Sequence, residues 1–170
     1  TVSAVATGAE LKCISGFSTA NYLEQPYNSD LDFGTGDFSF SGWFKSSDSA
    51  SKCLFHRGDG NGSGWGSGNL LQFETSGGLL KFQIYTSSFG SGSYGYYNTD
   101  LDDGIWHHVL GSRSGSTLSV YVDGVKGTDG VSTLDCSNTS ATTVVGNRHY
   151  LSRPFNGSLA LVRISATAPT

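Results

Sequence analysis

Residues 103–124 read DGIWHHVLGSRSGSTLSVYVDG, and their alternation decides the fold. Trp106, His108 and Leu110 alternate with His107, Val109 and Gly111. Leu118, Val120 and Val122 alternate with Ser119, Tyr121 and Asp123. A period of two marks strands with two unlike faces. The polar RSGST between them, with its glycine, reads as a hairpin connection. Asp123–Gly124 adds a second turn, because an Asp-Gly pair tolerates positive φ.

The same pattern extends outward. Strands are expected near 10–16, 20–25, 37–47, 52–57, 69–75, 79–86, 93–98, 105–113, 117–123, 142–146 and 156–165, broken by Gly, Ser, Asn and Asp turns. This predicts an all-β jelly-roll sandwich of two antiparallel sheets packed face to face. The expected core is Trp43, Phe44, Phe55, Leu71, Phe73, Leu80, Phe82, Ile84, Trp106, Val109, Val120, Val122, Val144, Leu159, Leu161 and Ile164. Residues 1–9 read as a linker or edge strand, and residues 10–170 as one domain.

Composition agrees. The 170 residues include 24 Gly, three Pro and no Met, which leaves no long run of helix formers. The net charge of -4 offers no basic stripe, so nucleic acid is not an expected partner. No apolar run approaches the roughly 20 residues of a membrane span, so insertion is not expected. The chain opens TVSAVATG without Met or a signal peptide, and we expect it to be a piece of a larger protein. Cys13, Cys53 and Cys136 are odd in number and widely spaced. That pattern fits neither a disulfide framework nor a zinc site and favours three small, half-buried residues.

Three ordered segments carry a family resemblance. DG-x-WHHV followed by L-x-VYVDG, DLDFGTGDFSFSGWFKSS (Asp30 to Ser47) and FNGSLALVRIS (Phe155 to Ser165) together resemble the laminin-G-like and pentraxin group of concanavalin A-like sandwiches. The resemblance implies a fold more than a function, because this fold carries lectins, adhesion modules, hydrolases and virion parts. It also implies calcium at the sheet rim. The positions matching the family's acids are Asn21 and Ala160, neither a carboxylate. Asp30, Asp32 or Asp59 with backbone carbonyls leave room for structural calcium, but no metal ligand or cofactor is assigned.

Catalysis is not expected. Glycoside hydrolysis needs two carboxylates at about 5–5.5 Å or 6.5–9.5 Å. Glutamate occurs only at Glu10, Glu24 and Glu74, and the aspartates cluster in turns. His107 and His108 have no nucleophile beside them, and the inward one is expected to bond a backbone carbonyl.

Binding chemistry is better represented. The segment His56 to Asn69, HRGDGNGSGWGSGN, imitates an EF-hand start at Asp59, Asn61 and Ser63, but its twelfth position is Leu70 rather than an acid. Its RGD is a three-letter match that recurs by chance. Trp65, flanked by glycines, is a stacking surface for a sugar ring. Tyr94 and Tyr96 share one strand face in GSGSYGYYNTD, with Tyr97 on the other. Arg148, His149, Tyr150 and Arg153 fall on the segment GNRHYLSRPF, read as a loop. The expected carbohydrate-binding set is Trp65, Tyr94, Tyr96, Arg57, Arg148, His149 and Tyr150. The closing SLALVRISATAPT resembles laminin-G-like segments of bacteriophage tail-fibre and decoration proteins. That resemblance implies a non-enzymatic module on a virion surface, touching host glycans and the other domains of its own protein. A structural or protein-contact domain, and a secreted bacterial carbohydrate-binding or adhesion domain, are the alternatives.

Overall fold

A computed structural model describes residues 12–59, 70–77, 79–85, 92–148 and 151–169. Thirteen strands form among them, in chain order. They are β1 (Ile14–Ser15), β2 (Leu23–Gln25), β3 (Phe38–Lys45), β4 (Lys52–Gly58), β5 (Leu70–Ser76), β6 (Leu79–Tyr85) and β7 (Gly92–Asn98). Then follow β8 (His107–Ser114), β9 (Thr117–Val122), β10 (Val125–Lys126), β11 (Gly130–Val131), β12 (Thr142–Val145) and β13 (Ser158–Ser165). All eleven expected strands form, and β10 and β11 are additional. The described residues contain no α-helix, only a 3-10 turn at Ser29–Leu31, where the Asn28 side chain accepts from the Asp30 N–H.

The diagnostic hairpin is β8–β9, with Val109 opposite Val122 and Ser114 opposite Thr117. Sheet A runs β1-β13-β3-β8-β9-β10, with β11 also on β9; sheet B runs β2-β12-β4-β5-β6-β7. All pairings are antiparallel. Past the edge of sheet B, Tyr96 and Thr128 exchange backbone hydrogen bonds at 2.9 and 2.7 Å. The β10–β11 link therefore covers the Tyr96 N–H and C=O, which an edge strand would leave open.

Alternation fills the space between the sheets. Phe38, Phe40 and Phe44 of β3 meet Phe55, Phe73 and Phe82 of sheet B. Phe40 lies 4.8 Å from Phe55 and 5.6 Å from Phe73 between ring centroids, and Phe38 lies 5.7 Å from Phe82. Such pairs add about 0.5–1.5 kcal/mol beyond their buried area.

The core departs from expectation at named positions. Phe40 and Phe44 hold the inner phase of β3, so Trp43 turns outward and is half-buried; Trp106 is half-buried as well. In β8 the inner phase is His107, Val109 and Gly111, while His108 and Leu110 face out. Gly111 is inward because Phe82 occupies its side-chain space: an added Cβ would fall 2.3 Å from Phe82 Cδ2. Leu161 is 68% exposed, and Val144 is buried on the outer phase of sheet B beside His56. Leu54, Leu101, Leu118, Val145 and Phe155 join the core instead.

Candidate functional site

The outer face of sheet B collects the polar chemistry. One cross-strand row runs His56, Gln72, Gln83 and Tyr94; a second runs Cys53, Glu74, Lys81 and Tyr96. The period of two, with a register shift between Cys53 and Phe55, puts these residues on the face away from Phe55, Phe73 and Phe82. Tyr94 is 41% exposed, with its ring centroid 5.8 Å from that of Tyr96 at a 59° tilt. Lys81 Nζ lies 5.2 Å from the Tyr94 ring centroid, a cation–π contact.

Behind the tyrosines the face is closed by a network centred on Glu74. Gln83 Nε2 donates to its Oε1 at 2.8 Å. Arg153 Nη1 at 2.5 Å and Arg148 Nη2 at 3.3 Å donate to its Oε2. Tyr85 donates its hydroxyl to Gln83 Oε1. Burial, then the Glu74 charge, pushes the Tyr85 hydroxyl up to about 12, so it stays a donor. Asn147 anchors the arginine-bearing loop, its Oδ1 accepting from the backbone N–H of Arg148 at 2.8 Å and of Arg153 at 3.2 Å.

The structure therefore brings Tyr94, Tyr96 and Arg148 to one face and separates Arg57 from them. Arg148 is buried on Glu74 rather than displayed by its loop. Arg57 lies in β4, because pairing with β5 and β12 carries the strand through the RG of RGD. It points inward and is 2% exposed. Its Nη1 donates to Cys136 O at 2.9 Å, and its Nη2 to Asn138 O at 3.1 Å and Asp32 Oδ1 at 2.9 Å. This is a buried ion pair holding the segment before β12, not a loop contact. Trp65, His149 and Tyr150 lie outside the described residues. Lys81, Gln83 and Glu74 were not foreseen as site residues, although KFQIY carries the signal: its polar residues occupy one alternating phase. Arg153, noted beside Arg148, shares its carboxylate.

Other chemistry is engaged elsewhere. His107, at the inner edge of β8, bonds two carboxylates rather than a carbonyl: Nδ1 to Asp123 Oδ2 at 2.7 Å and Nε2 to Asp103 Oδ1 at 3.2 Å. Cys13, Cys53 and Cys136 are free thiols. Burial pushes Cys53 far up and Cys136 to about 11, so neither is a thiolate nucleophile near neutral pH. Asp32 Oδ1 accepts from Arg57 and from the Asn138 N–H at 3.0 Å, and no three acid, His or Cys side chains converge among the described residues. No helix among those residues is long and apolar enough to cross a membrane.

Solved structures share this architecture. Domains LG4-5 of the mouse laminin alpha1 chain match at TM-score 0.68 and 14% identity, over 96% of this chain and 47% of that one. The chain thus spans about half of that laminin fragment. Domain 4 of the extracellular GH43 arabinanase AbnA from Geobacillus stearothermophilus, in complex with arabinotriose, matches at TM-score 0.67 and 17% identity, over 96% of this chain and 78% of that one. The CBM40 of the Ruminococcus gnavus IT-sialidase matches at TM-score 0.68 and 12% identity, over 95% and 92% of the two chains. These likenesses show the fold. No curated protein matches in sequence. Residues 17–170 match the family described as the concanavalin A-like lectin/glucanases superfamily, so the chain belongs to that superfamily.

Proposed function

We propose that the domain is a non-enzymatic glycan-binding module whose contact surface is the tyrosine edge of the outer face of sheet B. The observation that carries this reading is the Tyr94–Tyr96 pair, Tyr94 exposed and Tyr96 half-buried, flanked by Lys81 and backed by the buried Gln83–Glu74–Arg148–Arg153 network. Sugars present apolar C–H faces rimmed by hydroxyls, and an aromatic pair with phenol hydroxyls and a cationic donor beside it complements both. Trp65, His149 and Tyr150 join the contact set on sequence grounds. The arabinotriose bound to the AbnA domain supports the ligand class. Glu74 supports the non-enzymatic reading, because its two oxygens are engaged by Gln83, Arg148 and Arg153.

A shallow face of this kind binds one or two rings, with a single-site Kd from about millimolar to tens of micromolar. Many copies on one particle raise avidity without new contacts. Multivalent display, with the resemblance of the closing segment to tail-fibre and decoration proteins, supports a virion surface as the setting. A secreted adhesion domain is the other extracellular setting.

Glycan-array screening of a multimerised domain tests the proposal. A saccharide signal that falls at least tenfold in Tyr94→Ala and Tyr96→Ala is expected. No glycan signal, or one indifferent to both substitutions, would overturn it in favour of a structural or protein-contact domain.

A further inference from the structure

The outer face of sheet A holds a groove of about 370 Å³, lined in part by Ser41, His108, Leu110 and Arg163, with Thr167 and Pro169 along one side. That side is tied down. Ser39 Oγ donates to Thr167 O at 2.8 Å, and the Ser165 and Thr167 hydroxyls lie 3.0 Å apart. Arg163, Ser41 and Leu110 form one cross-strand row, and Ala160, Trp43 and His108 form the next. Trp43 and His108 meet edge to face with ring centroids 5.4 Å apart.

A backbone irregularity puts Arg163 there. From Ala160 to Arg163, β13 advances three residues while β3 advances only two, from Trp43 to Ser41. The extra residue is accommodated with Leu161 at φ +49°, a region in which leucine is rare, and with its side chain 68% exposed. Gly42 faces this bulge, and an added Cβ there would lie 3.4 Å from both Ala160 O and Val162 Cα. Simple alternation from Ala160 would turn Arg163 into the core. The bulge turns it onto the outer face, as bulges beside binding sites commonly re-aim side chains. The shift also lets Val162 and Ile164 pack against the core, and a left-handed leucine beside a groove motivates a functional hypothesis.

The groups so displayed are unengaged. Among the described residues, Arg163 has no ion pair, and neither its guanidinium, the Ser41 hydroxyl, the His108 ring nitrogens nor the Trp43 indole N–H has a hydrogen-bond partner. In a chain of net charge -4, this guanidinium stands in a groove without a carboxylate of its own.

We propose that the groove is a second saccharide site, distinct from the tyrosine face, and that it takes a carboxylate-bearing sugar of the hexuronic acid class. The carboxylate pairs with the planar fork of Arg163, whose geometry matches it in two parallel hydrogen bonds. The C–H face of the ring lies toward His108, which Trp43 backs, and Leu110, and Ser41 serves a ring hydroxyl. The site rests on its own groove and does not require the tyrosine face to bind.

The test uses hexuronate oligosaccharides and their carboxyl-reduced, neutral counterparts, titrated by calorimetry into the intact domain. The uronates are expected to bind and the reduced sugars to bind at least tenfold more weakly in this groove, with the uronate signal alone weakening as salt is raised. Arg163→Gln is expected to weaken uronate binding roughly ten- to a hundredfold, as loss of a charged hydrogen-bonding pair does. Arg163→Lys should recover part of it. Arg163 is exposed, so an unchanged melting curve checks that the variant folds. Tyr94→Ala and Tyr96→Ala should leave the uronate signal intact. Absence of uronate binding across the panel, or a change under twofold in Arg163→Gln, would overturn the proposal. A uronate signal lost in the tyrosine variants and kept in Arg163→Gln would overturn it too, while upholding the tyrosine face as the glycan site.

Discussion

The two outer faces of this sandwich use polar residues in opposite ways. On sheet B, Gln72, Gln83, Glu74 and Arg148 are buried, and one carboxylate gathers two guanidiniums and an amide. On sheet A, Arg163, His108, Ser41 and Trp43 line or border an open groove with no such closure. The first arrangement holds a loop to a sheet and leaves only its tyrosine edge for contact. The second keeps its donors available. Polar residues on a strand's outer phase are therefore not equivalent, and neutralisation by neighbours separates structural from contact chemistry.

The largest effect expected from this contrast lies on sheet B. Glu74→Ala leaves Arg148 buried without its carboxylate and should cost about 3–5 kcal/mol in denaturant unfolding. A loss under about 1 kcal/mol would mean the network does not hold the face. Next is the contrast within β3. Phe44→Ala, in the core, should cost about 3–5 kcal/mol. Trp43→Ala, half-buried on the outer face, should cost about 1–2 kcal/mol. Equal losses would return Trp43 to the core and away from the His108 ring it backs.

A smaller effect is pH-dependent and sits where the groove strand begins. Burial lowers the His107 pKa, but the hydrogen bonds and charges of Asp123 and Asp103 outweigh it and hold the ring above its ordinary 6.5. Stability from the protonated ring is thus fully present below about 6.5 and is lost as pH rises through the higher folded value. The melting temperature should fall between pH of about 6 and about 9, and His107→Gln should flatten that slope. A melting temperature that rises over the same interval would contradict a charged His107 clamp. The smallest expected effect is that of Arg163→Gln on stability, within about 0.5 kcal/mol, because nothing in the fold leans on that side chain.

Much of this was legible in the sequence. Alternation located every principal strand, and Tyr94 and Tyr96 fell on one face because they are two residues apart. The phase of β8 was not legible. The expected core held both Trp106 and Val109, which lie on opposite phases, whereas the inner set is His107, Val109 and Gly111, and the missing side chain of Gly111 is supplied by Phe82 from the other sheet. Arg57 looked like loop chemistry because the strand's end is fixed by pairing with Thr142 and Thr143, far along the chain. The arginine partners of Glu74 lie 74 and 79 residues away on a loop, beyond any local pattern. The bulge in β13 did leave a trace. Leu159 and Ile164 are both inward-facing types but stand an odd number of residues apart, which strict alternation forbids.

The tyrosine edge of sheet B is proposed to contact sugar. Backbone amide shift mapping by nuclear magnetic resonance, with the strongest neutral saccharide from the array, tests it most directly. The predicted result is a set of shifts concentrated at Tyr94, Tyr96, Lys81 and Gln83, with Ser41 and Arg163 unmoved. Shifts confined to another surface, or none at saturating saccharide, would contradict it.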